Sequence, residues 1–351
     1  KFKKYSNFNF FKKENHGNLT IFRIWSFISK KDNSILNFLD YLSFGISSFF
    51  LSLFIKCDVV IGSSPPLPVA FFTMLSAKIK RTKVFIEIRD MWVDSIKELN
   101  LSKSKFLINI LYFLERIMLK NANKILCVTE SIKKKIIKKG ISENKVLLRP
   151  NGFTKQNQKN KKLDSKFKVK KNYINILFYG TIGLSQDFNI ILKAAKYFEK
   201  EVNFYIIGNG SQINQIINQV KTYKVKNIII KQLNEKKINN NIYKKFDFGL
   251  SSLKNKKVFK TVIPSKLYDY SANRLPIFFI GPKGDAFKLI KEFSLGIYSK
   301  PELKDVVKNI KIMVKNKNHI KNLFIKKNKK FKIIFNRENV AKNILNDIYK
   351  F

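Results

Sequence analysis

The sequence predicts an α/β protein made of two doubly wound halves, each a parallel sheet with helices on both faces, flanking a ligand cleft. Three observations carry this. Short apolar runs alternate with helical stretches along almost the whole 351-residue chain, the pattern of buried parallel strands joined by crossover helices. Several of those runs end in glycines or charged groups, at the strand ends where such sheets bind ligands. A polar, Lys-rich stretch at 154–172 lacks apolar periodicity and interrupts the alternation, which reads as a linker.

Taken in order, the first half predicts strands at 19–25, 58–62, 83–88, 124–128 and 145–149, with helices near 35–55, 66–79, 105–119 and 130–139. The second half predicts strands at 174–179, 202–207, 227–230, 246–253 and 275–280. Its helices fall near 187–198, 210–221, 265–273, 284–294 and 301–317, with a last one at 337–350. The domains are therefore 1–153, a linker at 154–172, 173–335, and a C-terminal helix at 336–351. Residues 41–55 carry no charge and are rich in Phe, Leu and Ile. They are too short for a comfortable membrane span and read either as a buried helix or as one resting on a membrane.

Composition narrows the partners. Hydrophobic residues make up 45% of the chain, so it folds around real cores. A formal charge of +46 by itself suggests nucleic acid or an anionic membrane. Only seven of the 70 basic residues are Arg, however, whereas nucleic-acid readers favour its bidentate fork. No nucleic-acid motif accompanies the charge, so nucleic-acid binding is not expected and most of the Lys forms a solvated surface. Cys57 and Cys127 are too far apart for a metal cluster or redox pair and fit a reducing cytosol. With His16 and His319 the only histidines, an HExxH zinc site is excluded and a His-based triad is disfavoured. No metal is expected. The chain opens at Lys1 without a signal-peptide pattern and reads as a fragment.

The richest motif is TVIPSKLYDYSANRLPI at 261–277. Pro264 and Ser265 make a helix entry, with the Ser hydroxyl available as a cap. Lys266, Asp269 and Asn273 then share one side of a short helix. Amides and an ammonium at a helix start suit a phosphate, and a carboxylate one turn on suits ribose hydroxyls. An ordinary capped helix with solvated charges explains the same pattern equally well. Gly180-Thr181-Ile182-Gly183 and Gly208-Asn209-Gly210 each follow a strand and are read as ligand loops or as plain turns. Arg89 and Asp90 end a strand, with Asp94 four residues on, and suit either sugar contacts or a structural salt bridge. Ser63 and Ser64 suit a helix cap or a ligand contact, and Arg149-Pro150-Asn151-Gly152 a turn between the halves.

Together the blocks IGSSPPLPVA, FIEIRDMWVDS, CVTES, RPNGF, FYGTIGLSQDF, IIGNGSQ and TVIPSKLYDYSANRLPIFF resemble the family 4 glycosyltransferases of GT-B fold. The closest likeness is to the subgroup resembling L-fucosamine transferases of bacterial surface-polysaccharide assembly, such as O-antigen or capsule. It extends more weakly to residues 5–25. The resemblance implies two Rossmann-like domains facing a cleft and retaining transfer without a bound metal. It implies a nucleotide-sugar donor, UDP-linked here, and a lipid-linked saccharide acceptor. The enzyme would be cytoplasmic, at the inner face of the membrane, with anionic lipid attracting its basic surface.

By the same resemblance Asp269 takes the second acidic position of the E-x7-E signature and binds the ribose, while the first falls on Thr261. The donor-loop Arg is replaced by Thr181, and the following Lys falls near Gln186 or Asp187. Lys266 and the amides of Ser265, Lys266 and Leu267, behind Pro264, are then expected to hold the diphosphate, with Gly180, Thr181, Gly183, Gly208 and Gly210 around the donor. The family's N-terminal His has no counterpart. Arg89 and Asp90 stand at that strand end, and Asp90 is expected to contact the donor sugar or acceptor. The first βα unit of the family's N-terminal domain is expected to be missing. Other readings are a nucleotide-sugar 2-epimerase, disfavoured by the scarcity of His, and a catalytically impaired nucleotide-sugar-binding protein.

Overall fold

The computed structural model describes residues 11–28, 34–154, 169–232 and 240–351. The chain divides into two compact units, Lys1–Arg149 and Pro150–Phe351. Most of the 154–172 linker, residues 155–168, lies outside the described residues, as does the start of the 5–25 resemblance.

In the first unit β1 (Phe11–His16) and β2 (Leu19–Ile24) form an antiparallel hairpin. The strand expected at 19–25 thus pairs with β1, which the sequence reading missed, and stays out of the parallel sheet. Gly17 explains this: at φ +58° it closes a tight turn, and Glu14 on one strand accepts from Arg23 Nε on the other at 3.1 Å.

Helix α1 (Ser34–Phe54) packs along α2 (Leu67–Ile79). It carries no basic residue in its last turn, and Lys80 supplies one: its Nζ donates to Ser52 O at 2.9 Å and to Ile55 O. Gly45 is the only buried position described along α1, so the buried-helix reading gives way to a surface helix.

The sheet runs β3 (Val59–Ser64), β4 (Lys83–Ile88), β5 (Lys124–Cys127) and β6 (Val146–Leu148), all parallel and in that spatial order. Helices α3 (Trp92–Glu98), α4 (Lys105–Asn121) and α5 (Glu130–Lys138) complete the layer set. Helix α3 was not foreseen, since its single turn or two gives no periodicity to read. Ser104 caps α4 and Thr129 caps α5, accepting from Leu107 N at 3.2 Å and Ile132 N at 3.3 Å. Ser63 and Ser64 do not cap α2. Its N-cap is Pro66, and the Ser63 hydroxyl instead donates to Glu87 at 2.7 Å across the β3–β4 pair.

The second unit contains β7 (Ile174–Tyr179), α6 (Phe188–Ala195), β8 (Val202–Gly208), α7 (Ile213–Thr222), β9 (Ile228–Gln232) and β10 (Phe248–Ser252). It continues with α8 (Ser265–Ala272), β11 (Ile277–Ile280), α9 (Asp285–Phe293), β12 (Gly296–Ser299), α10 (Leu303–Ile334) and α11 (Arg337–Tyr349). The six parallel strands lie in the order β12-β11-β10-β7-β8-β9. Counted within the unit this is the Rossmann order, and winding reverses between β7 and β10. Phe178, Phe248 and Phe278 are fully buried at its centre, each contributing about 1.5–3 kcal/mol of apolar burial.

Two elements exceed the sequence reading. Strand β12 is four residues long and partly exposed, so its apolar signal is weak. Helix α10 continues to Ile334, past the expected end at 317, through a kink at Asn316. Lysines mask its second segment, which is held by buried Phe324, Asn328 and Phe331. The Asn328 amide donates to Ser271 O at 2.7 Å, and Lys321 Nζ reaches Asp247 at 2.7 Å. Asp247 in turn accepts from Asn175 N at 2.9 Å, tying α10 to the start of β7.

Candidate donor site

At the C-terminal end of β7, where the sheet reverses direction, the second unit holds an open cavity of about 810 Å³. That volume suits a nucleotide-sized ligand. Four pieces of chain wall it: the end of β7 with its loop, helix α8, Tyr243, and the strap formed by Phe153, Thr154 and Arg337.

Helix α8 is fixed by Tyr270. Its ring is buried, and its hydroxyl accepts from Tyr179 N at 3.0 Å while Leu177 O and Leu250 O lie within 3.2 Å as acceptors. One side chain thus bonds to β7 and β10 at the reversal point, which sets the height of the helix above the sheet. Leu267 is also fully buried, so its side chain anchors α8 in the core and does not reach the cavity. Pro264 is the N-cap and is likewise off the wall. The Ser265 hydroxyl is no cap: α8 begins at Ser265 and has no side-chain cap bond. Of the three amides expected at the diphosphate, that of Leu267 is already taken, donating to Pro264 O at 3.0 Å, so the expectation narrows to the amides of Ser265 and Lys266.

Ser265, Lys266, Asp269, Ala272 and Asn273 face the cavity, as the helical spacing requires. The Lys266 ammonium lies 4.6 Å from the centroid of the Phe178 ring. Burial lowers its pKa to about 8, against the pull of Asp269. The Asp269 carboxyl is pushed upward by desolvation on the pocket wall, opposed by Arg337 and Lys266. Tyr179 and Tyr243 also line the wall with their rings 6.1 Å apart, and desolvation raises both phenols, keeping them protonated donors.

Gly180, Thr181 and Gly183 line the cavity, but Gly208 and Gly210 do not. Their reading as ligand contacts gives way to a packing role. A Cβ at Gly208 (φ +158°) would meet Gly180 O at 1.8 Å, and one at Gly210 would meet Ile182 O at 2.1 Å. Gly180 N and Ile182 N donate to Ile207 O and Asn209 O at 2.9 and 3.0 Å, so the second glycine loop is the bed on which the first lies. Gly180 itself holds φ +125°, and a Cβ there would sit 3.3 Å from the Lys266 side chain. The positions where a basic residue was expected serve the loop instead. Gln186 accepts from Gly183 N at 2.6 Å, and Asp187 caps α6. Thr181 is on the wall, while Thr261 is buried with its hydroxyl bonded to Val258 O at 2.9 Å.

Sequence reasoning missed Tyr243 and Arg337. Tyr243 sits in a short 3-10 turn, Asn240–Lys245, among lysines. Arg337 is some 70 residues from α8 in sequence, and no local pattern marks it.

In the first unit, Arg89 and Asp90 follow β4. Arg89 is exposed, and its amide donates to Ser64 O at 2.8 Å. Asp90 Oδ1 is buried without a hydrogen-bond partner among the described residues, and burial raises the carboxyl's pKa. Asp94 is the structural salt bridge. Burial would raise it too, but Lys135 at 2.9 Å and the Tyr112 hydroxyl at 2.9 Å hold it low. Among the described residues, no group of three or more His, Cys, Asp or Glu is placed to hold a metal ion.

Two Rossmann-like parallel units with a nucleotide-sized cavity at the reversal of the second sheet define the GT-B fold. Solved structures agree. HepE from Anabaena, crystallised with UDP, superposes with a TM-score of 0.68 at 10% identity, covering 91% of this chain and 85% of HepE. Sucrose-phosphate synthase from Thermosynechococcus elongatus gives 0.71 at 12% identity, covering 98% and 86%. In sequence the chain is similar to WcaI of Escherichia coli (strain K12), a protein named as a colanic acid biosynthesis glycosyl transferase. Identity is 26% over 212 residues, or 56% of this chain and 52% of WcaI, so the match spans about half of that relative's length. No family model matches the chain.

Proposed function

We propose that the protein is a retaining glycosyltransferase of surface-polysaccharide assembly, moving a sugar from a UDP-sugar to a lipid-linked saccharide. The observation that carries this is Lys266 in the first turn of α8, beside Ser265 on the cavity wall at the sheet's reversal point, with Asp269 one turn further along. A diphosphate at the ammonium and helix start puts ribose hydroxyls within reach of the carboxylate. Retention needs stabilisation of the departing diphosphate more than a strong base, which suits a chain with two histidines. Asp90 is assigned to the acceptor or donor sugar.

The similarity to WcaI and the UDP-bound HepE structure support the donor class and the pathway type. A membrane role for the first unit draws on its surface. Residues Leu36–Phe54 of α1 make a helix long and apolar enough to cross a bilayer, with mean hydropathy 1.3. On α4, Phe106 and Phe113 are 77% and 64% exposed, one face apart by two turns, with Ile110 between them. Apolar rings on a strongly cationic chain suit docking on anionic lipid at the cytoplasmic face of a membrane.

Donor binding tests the reading directly. UDP is titrated into the purified protein by calorimetry, and Lys266→Met is compared. Micromolar-range binding that the variant loses supports the reading; failure of the wild-type chain to bind UDP sinks it.

A further inference from the structure

We propose that Arg337 is the second cation that holds the donor diphosphate, a role the sequence motifs leave vacant. This rests on the donor reading above and extends it to a residue outside α8 and the glycine loops. The charged side chains on the cavity wall are Lys266, Asp269 and Arg337. Asp269 offsets one of the two cations, so without Arg337 the wall would be neutral and poorly matched to a diphosphate. With it, the wall carries a net positive charge.

The backbone around Arg337 is tightly held. Phe153 N donates to Phe335 O and Arg337 N to Phe153 O, both at 3.0 Å, so residues 153 and 335–337 lace together. Phe335 anchors the lace by packing on Phe331 and Tyr268, with ring centroids 4.6 and 5.5 Å away. The guanidinium is then oriented by two bonds, NH1 to Thr154 Oγ1 at 3.0 Å and NH2 to Gly152 O at 3.1 Å. A guanidinium has five N–H donors, so three remain for a ligand after these two. Its field already reaches Asp269, where it counteracts the upward push of desolvation. An oriented guanidinium with spare donors is the group that binds phosphate oxygens in bidentate fashion. Lys266 contributes a point charge on the wall. Arg337 contributes the geometry.

The test is calorimetric titration of the full chain, Arg337→Met and Arg337→Lys with UDP and with uridine, alongside melting temperatures. Losing charge-assisted bonds to phosphate is expected to weaken UDP binding by about tenfold or more while uridine affinity changes less than about twofold. Arg337→Lys is expected to recover part of the loss. Unchanged UDP affinity in Arg337→Met overturns this proposal and leaves the donor reading standing. Equal losses for UDP and uridine also overturn it, because they mark a purely structural strap. No UDP binding by the wild-type chain overturns both.

Discussion

The Lys266 ammonium and the Phe178 ring lie 4.6 Å apart, a cation over an aromatic face at the end of the central strand of the second sheet. The ring offsets part of the desolvation cost of a half-buried ammonium. Its pKa is nevertheless lowered to about 8, which makes its charge state sensitive just above neutrality.

Donor affinity should therefore depend on pH. A bound diphosphate favours the ammonium, so above pH of about 8 binding must take up a proton and affinity falls as pH rises. Lys266→Arg stays charged and should flatten the profile. Titrations between about pH 7 and 9.5 decide it, and a flat wild-type curve refutes it. Lys266→Met should not lower the melting temperature, because the charged form is disfavoured in the fold.

Gly208→Ala is expected to be costly. Its Cβ would lie 1.8 Å from Gly180 O, so one of the two loops must move. A drop in stability of about 1–3 kcal/mol, with weaker UDP binding, is expected from urea unfolding and titration. Wild-type stability would show that the loops are not packed as described.

Tyr270→Phe removes one hydroxyl and leaves Tyr179 N without its partner. A cost of about 1–3 kcal/mol is expected for the buried donor. Because the hydroxyl sets the position of α8, UDP binding should weaken as well, and a stability loss with unaltered affinity would contradict that.

Asp90→Asn separates binding from transfer. It should leave UDP affinity within about twofold and reduce sugar transfer by about a hundredfold or more if the carboxylate contacts the reacting sugars. Full transfer activity in the variant removes Asp90 from the site.

The double variant Phe106→Asp, Phe113→Asp addresses the membrane. The wild-type chain should co-sediment with vesicles containing anionic lipid and less so with neutral ones or at high salt. The variant should stay in the supernatant while melting normally, and equal sedimentation of the two proteins would rule out this face.

Much of the architecture was legible in the chain because parallel strands are continuous apolar runs and helices repeat their own period. β4 and β7 begin and end where the pattern places them. What failed was short or masked: the hairpin strand β1, α3, the four-residue β12 and the lysine-covered half of α10. In each, either too few residues show a period or charge hides it.

The site divides in the same way. Sequence alone determined that Lys266, Asp269 and Asn273 share one face of a helix, because helical spacing is a local property. Only the tertiary structure decided that Gly208 and Gly210 support a neighbouring loop, and that Arg337 joins the cavity wall. Both facts depend on contacts between segments distant along the chain, made by sheet order and by the lacing of Phe153 to Phe335. Local pattern carries no information about such contacts, since their energy comes from packing that exists only once the chain is folded.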